Sequence, residues 1–336
     1  PTVLSLCGVP VPGHMQGSAF LGPKASAPRR YVYGARDRVD EVFDLSRSVR
    51  DGRWLYIRNF MPHLSWMPPE RYSDGSAFRR EFKRLAAAGQ LNANQLTYAA
   101  PRRAIEELYD THADPHQLHN LADRPEHREQ QQRLRGELIR WMTDSRDAGF
   151  LTEPQVWHRI GHNSTPLELA GNAMLCPLDD LLRAAGLVGR ENTWDEQVTL
   201  LKHGDDGIRY WAAVGLHAAA TGGQLSSRAV RSAMQEQLAD PSPVVRIELA
   251  SALMALGPNE AAIAVLTKDL GHDRPDVVLH AARAAELLGE RARPLLPVMR
   301  KTLEQARAAE QRGDLPMFIR FSLEAALERF PYSECP

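Results

Sequence analysis

Cysteine is scarce: Cys7, Cys176 and Cys335 lie far apart in 336 residues, a spacing that matches neither a disulfide framework nor a C-x-x-C metal site. Isolated thiols are the expectation. Net charge is missing too, because 41 basic against 42 acidic side chains leave no bulk field to attract nucleic acid or an anionic membrane surface. No apolar run approaches the roughly 18 residues of a membrane-spanning helix, and residues 1–6 lack the basic region and cleavage site of a secretory signal. What remains is an ordinary globular composition, 43% hydrophobic and 25% charged, with a length that suggests two or three domains.

Residues 1–148 mix short apolar runs with proline and glycine, which predicts strands and loops rather than long helices. Residues 2–6 read as a helix end running into a turn at Gly8. Segments 46–50 and 53–59 flank Asp51-Gly52, a dipeptide suited to the positive φ angles of a two-residue hairpin turn. In the second arm Trp54, Tyr56 and Arg58 alternate with Leu55, Ile57 and Asn59, so one face packs and the other is polar or aromatic. Residues 106–110 add an edge strand ended by the Asp114-Pro115 turn. Asp123 and Pro125 then open a helix in which Leu134, Leu138, Trp141 and Met142 recur at helical spacing. A small antiparallel sheet with a helix across it is the expected product. The aromatic and basic residues of 47–60 are what a half-exposed hairpin contains, so no nucleic-acid face is expected.

After Gly149 a connector leads into Ala- and Leu-rich sequence. Segments 208–216, 245–253 and 319–327 align as V-R-x-x-x-A-x-x-L variants, with 277–285 as a fourth copy. Each copy follows an acidic turn residue, Asp206, Asp240, Asp273 or Asp314. Each is also preceded by a second apolar helix, at 198–201, 229–238, 261–270 and 295–303. This resembles HEAT-type repeats, paired antiparallel helices stacked into a curved solenoid.

The stretch Glu107-Leu108-Tyr109-Asp110, Asp114-Pro115 and Asn120-Leu121-Ala122 resembles the closing signature of the sulfatase family, E-L-Y-D-x-x-x-D-P-x-E-x-x-N-L-A. Arg36-Asp37-Arg38-Val39-Asp40-Glu41 resembles the R-D-R-M-D-E segment of a branch similar to heparan N-sulfatases, with Val39 in place of methionine. Residues 13–21, 31–34 and 49–53 fit the same branch. The implied fold is an α+β fragment, the end of a sulfatase domain of the alkaline-phosphatase-like superfamily, followed by an all-α HEAT-like solenoid. Its expected divisions are 1–148, a helical connector at 149–190, and repeats at 191–330.

The resemblance implies a periplasmic or secreted parent enzyme that hydrolyses sulfate esters or sulfamates on a carbohydrate, using calcium and a formylglycine made within C-x-P-x-R or S-x-P-x-R. None of the cysteines stands in that motif. Asp179-Asp180 and Asp205-Asp206 lie in the helical region, where a turn or helix-cap role is expected, so neither calcium nor formylglycine is expected in this chain. It reads as the rear portion of an enzyme, inactive alone.

Asp37, Arg38, Asp40 and Glu41 are the candidate substrate-binding residues, since clustered Arg and Asp on a loop leaving a strand can hold a sugar through bidentate hydrogen bonds and charge pairing. The plainer alternative is a salt-bridge network bracing the loop. His112, His116 and His119 are expected to face solvent, and His162 has no acid partner or nucleophile motif, so a serine hydrolase is not expected. The expected partners are a sulfated carbohydrate for the parent enzyme and a protein or polysaccharide on the solenoid's concave face. A non-catalytic scaffold and a phosphodiesterase-type relative remain alternatives.

Overall fold

Four short strands with one packed face lay down the first layer. The computed structural model describes residues 1–161 and 164–330; Cys335 and His162 lie outside the described residues. After α1 (Thr2–Leu6), strands β1 (Val32–Arg36), β2 (Ser46–Arg50), β3 (Trp54–Asn59) and β4 (Glu106–Asp110) form an antiparallel sheet in chain order, with β1 and β4 at its edges. Val49, Tyr56 and Leu108 are fully buried on one face. Onto that face packs α5 (Arg128–Ser145), which buries Leu134, Leu138 and Met142. The ring of Trp141 stacks on Tyr33 of the edge strand at 4.7 Å.

Three local expectations need correction. The β2–β3 turn is centred on Gly52-Arg53, since Asp51 N–H donates to the Trp54 carbonyl at 3.0 Å. Neither turn residue takes a positive φ. The Asp51 carboxylate instead accepts the N–H groups of Arg53 and Trp54 at 2.8 and 2.6 Å, the side-chain turn that makes Asp favourable at this position. Asp123 does not cap the long helix, which is entered through a 3-10 turn at Pro125–His127. The third correction is larger, because residues 71–99 hold three helices: α2 (Arg71–Asp74), α3 (Ala77–Ala87) and α4 (Ala93–Ala99). Their caps are explicit, with Ser76 accepting from Arg79 N–H and Asn92 forming a capping box with Gln95. Their interiors carry a signal as well: Phe78, Phe82 and Leu85 recur at helical spacing in α3, although only Arg79 of that helix is buried.

The connector supplies α6 (Glu153–Ile160), α7 (Pro166–Ala170) and α8 (Leu178–Gly186). Four helix pairs follow: α9 (Trp194–Leu200) with α10 (Asp206–Thr221), α11 (Arg228–Glu236) with α12 (Pro243–Leu256), α13 (Glu260–Leu270) with α14 (Pro275–Leu288), and α15 (Leu296–Ala309) with α16 (Asp314–Leu327). The second helices stack α10 on α12 on α14 on α16. Runs such as Ala212-Ala213 and Ala281-Ala282, all fully buried, let their backbones approach closely. The repeat arginine also acquires a role. Arg209 pairs with Asp240 at 2.7 Å, and Arg246 pairs with the fully buried Asp269, so the turns of neighbouring helices are tied together.

One hydrophobic core runs unbroken from Leu45, Val49 and Tyr56 of the sheet through Phe150 and Trp211 to Leu323 of α16. At the junction Phe150 meets Phe60 edge-on at 4.8 Å, and the Trp211 indole N–H donates to the Phe150 carbonyl at 2.8 Å. Truncating Trp211 opens a cavity and leaves that carbonyl without its partner. Trp211→Ala is expected to lower stability by about 3–5 kcal/mol. Urea unfolding followed by far-UV circular dichroism and by tryptophan fluorescence should still give coincident transitions, since both parts share the core.

Candidate functional site

The signature loop proves to be architecture. Asp110 accepts the N–H groups of His112 and Ala113 and is clasped by Arg53; the Asp114 carboxylate accepts His119 N–H at 2.8 Å. Asn120 accepts from Leu108 N–H at 2.9 Å and donates to the Glu106 carbonyl at 3.0 Å, which returns the loop to β4. Glu107 accepts from Asn59, Trp66 and the Tyr109 hydroxyl. His112, His116 and His119 are all exposed. The signature therefore closes the sheet edge, with Glu107, Asp110, Asp114 and Asn120 all held in hydrogen bonds.

The loop between β1 and β2 carries the candidate residues, and the structure divides them. Asp37 and Arg38 are engaged in ion pairs. Arg47, its side chain 1% exposed, binds Asp147 at 2.6 Å and Asp37 at 2.8 Å. Gly149 is required beside it, since a Cβ there would meet the Arg47 guanidinium at 2.2 Å. Arg38 pairs with Glu153 at 2.9 Å, donates to the Asp40 carbonyl, and lies over the Phe318 ring at 5.6 Å. Asp40 takes a left-handed φ of 51°, which Asp tolerates better than most residues. Glu41 is 1% exposed and accepts Arg71 N–H at 2.6 Å. Burial pushes its carboxyl up from the ordinary range, with that hydrogen bond working against the rise. Asp40, Glu41 and Glu70 come together, each offering a carboxylate oxygen within 4.8 Å of the others.

Phe43 leads from this loop into a cavity of about 320 Å³ between the sheet part and the solenoid, within the size range of small-ligand sites. A cluster of its polar groups comes from three stacked helices. Glu248 of α12 lies 2.7 Å from His217 Nδ1 on α10 and 3.1 Å from His280 Nε2 on α14. Burial raises the Glu248 carboxyl, but hydrogen bonds from both histidines overcome this and hold it well below the carboxylate range. His63 stands 5.9 Å from His217, ring centre to ring centre. Burial, aided by His217, pushes His63 down to about 3, so it is neutral at physiological pH. The arrangement can hold and exchange protons, but it activates no nucleophile: Ser251 donates its hydroxyl hydrogen to the Ile247 carbonyl at 2.8 Å.

Sequence reasoning missed this cavity, although a signal existed. In the four aligned copies the fourth position holds Trp211, Glu248, His280 and Ser322, so two ionisable groups occupy a column otherwise facing the core.

Among the described residues, neither the cysteines nor the two aspartate doublets assemble a formylglycine and calcium centre. Cys7 is exposed and Cys176 buried as free thiols. Asp205 caps α10 through Gly207 and Ile208 N–H, and both Asp205 and Asp206 are bound by Arg159. Asp179 and Asp180 lie in the first turn of α8.

A histidine that is neutral when folded takes up its proton only on unfolding, so its contribution is present above pH ~6.5 and lost as pH falls toward its folded value. Stability measured by urea unfolding is therefore expected to decline between pH 6.5 and 4.5, and to decline less steeply in His63→Phe. Replacing Arg47 by alanine should cost about 3–5 kcal/mol, because Asp147 and Asp37 lose their buried cation.

Comparison with known proteins agrees with both halves of this description. A model of HEAT repeats matches residues 195–286. Two curated proteins from Formosa agariphila, each called an ulvan-active sulfatase, are similar to this chain. One is 38% identical over 169 residues, covering 50% of this chain and 28% of the relative. The other is 32% identical over 149 residues, covering 42% of this chain and 27% of the relative. The chain spans about a quarter of the length of these relatives, and its similarity is to part of a sulfatase.

Proposed function

We propose that the chain is the C-terminal region of a sulfatase that hydrolyses sulfate esters or sulfamates on a carbohydrate, and that the sulfate-cleaving centre is held by sequence outside these 336 residues. The observation that carries the reading is the 38% identity to a sulfatase over 169 residues, in a chain whose signature residues build the sheet edge. The names of both relatives favour a sulfated polysaccharide of the ulvan type over heparan sulfate as the substrate. Export to the periplasm or beyond belongs to the same reading. Among the described residues no helix is long and apolar enough to cross a membrane.

In this reading residues 1–148 end the sulfatase domain, 149–190 connect, and 191–330 form the repeat array. The loop of Asp37, Arg38, Asp40 and Glu41 faces the substrate side. Arg38 and Glu41 fix it, while Asp37, its side chain 50% exposed, keeps oxygen atoms free for sugar hydroxyls. The seam cavity, with Phe43 and Tyr210 in its wall, is the place where the solenoid meets the polysaccharide. Its acceptors and aromatic faces suit hydroxyls and the C–H face of a sugar ring.

The purified chain is expected to release no sulfate from ulvan or from a chromogenic sulfate ester, even with calcium added. Turnover by this chain, abolished by substituting one of its own residues, would overturn the reading. The natural coding sequence extended upstream should contain C-x-P-x-R or S-x-P-x-R and should release sulfate. In that longer enzyme Asp37→Ala is expected to raise KM several-fold with little change in kcat, the mark of lost uniform substrate binding.

A further inference from the structure

None of the three acids gathered at the foot of the β1–β2 loop forms a salt bridge among the described residues, and Arg283 acts on Glu41 only as a more distant charge. Arg38 places its guanidinium on Glu153, Arg71 on Glu328 and Arg283 on Glu286. The nearby cations thus pair with other carboxylates. Glu41 is the decisive member. It is 1% exposed; one of its oxygens accepts Arg71 N–H, and the other has no hydrogen-bond partner. A buried carboxylate oxygen without a donor is costly, and native structures satisfy such atoms with water, a proton or an ion. Asp40 and Glu70 supply further acceptors, which rules out ordinary hydrogen bonding between three ionised groups.

We propose that Asp40, Glu41 and Glu70 bind a hard divalent cation of the calcium class. All three ligands are carboxylate oxygens with no nitrogen or sulfur donor, the set preferred by calcium over zinc or copper. Two oxygens bound to one calcium at about 2.4 Å each lie no more than about 4.8 Å apart, and the three carboxylates meet that spacing. Backbone carbonyls and water complete the shell of 6–8 ligands usual for calcium. This site is built from three carboxylates of this chain. It joins the β1–β2 loop to Glu70 at the start of α2, and Arg71 of α2 pairs with Glu328 just beyond α16. The cation therefore clamps the sheet part where it touches the end of the solenoid.

The test is calorimetric titration of the EDTA-stripped chain with calcium chloride, together with its melting temperature with and without the ion. The expected result is one calcium per chain with Kd below about 1 mM, and a melting temperature raised by several degrees. Glu41→Gln and Glu70→Gln should each weaken binding at least tenfold and remove the thermal shift, whereas Asp180→Asn should leave both intact. If Glu41→Gln fails to fold, Asp40→Asn gives the same comparison at a less buried position. No binding by the folded chain, or binding unchanged in the variants, overturns the proposal. Sulfate release by the longer enzyme is a separate readout, so failure of one reading is distinguishable from failure of the other.

Discussion

The structure depends on how a small sheet is seated on the first inner helix of a solenoid. Phe60, Phe150 and Trp211 make that seat, with Phe150 4.8 Å from Phe60 and 5.9 Å from Trp211. The Phe150 carbonyl holds the Trp211 indole. Each partner leaves apolar surface that the other covers. A four-stranded sheet crossed by one helix buries a modest core, and a helical repeat cannot cover its own apolar face. Joined, they share one continuous core, and the cavity lies just beside the joint. The loop of candidate residues borders the same joint through Phe43, so its geometry is set by the seat as much as by the strands that carry it.

Charge follows the same logic. Arg47 spans from β2 to Asp147, just after α5, and Arg38 spans from the β1–β2 loop to Glu153 at the start of α6. These pairs lie where the sheet part passes into the connector, and burial makes the Arg47–Asp147 pair sensitive to the loss of either partner, whereas Arg38–Glu153 is more solvated. They also explain why a cluster that looks like a binding site in sequence is in large part a brace. Of the four residues singled out, Arg38 is turned toward Glu153, Asp37 shares Arg47 with Asp147, and Asp40 and Glu41 join Glu70, a residue 29 positions further on that no local pattern connects to them.

What could be read from the sequence tracks periodicity. The hairpin, the edge strand, the crossing helix and the four repeat helices all announce themselves by apolar residues at a regular spacing, and the structure contains each of them. Residues 71–99 carry capping signals, and α3 has Phe78, Phe82 and Leu85 at helical spacing, but the helices are short and bury little, and the three went unread. The turn slipped by one residue because Asp51-Gly52 suits two geometries, and the Asp51 side chain decided between them. The Glu248 cluster was hidden for a different reason. His217, Glu248 and His280 come from three stacked helices and His63 from the segment after β3, so only the tertiary fold brings them to one cavity.

The signature loop shows why a motif can mark a family without marking its chemistry. A strand at a sheet edge exposes backbone groups that invite pairing with other chains. Here the Asn120 side chain satisfies Leu108 N–H and the Glu106 carbonyl, and Leu121 N–H reaches the Leu108 carbonyl at 2.8 Å. Asp110 and Asp114 hold the intervening turn by accepting backbone N–H groups. Asp110, Asp114 and Asn120 are thus fixed by the geometry of one loop, and substitution of any of them unpairs a backbone group at the edge. Such a constraint is as strict as catalysis, and it acts on whichever chain must close this sheet in this way. The motif consequently marks the architecture of this sheet edge, a part of the chain apart from the β1–β2 loop and the seam cavity.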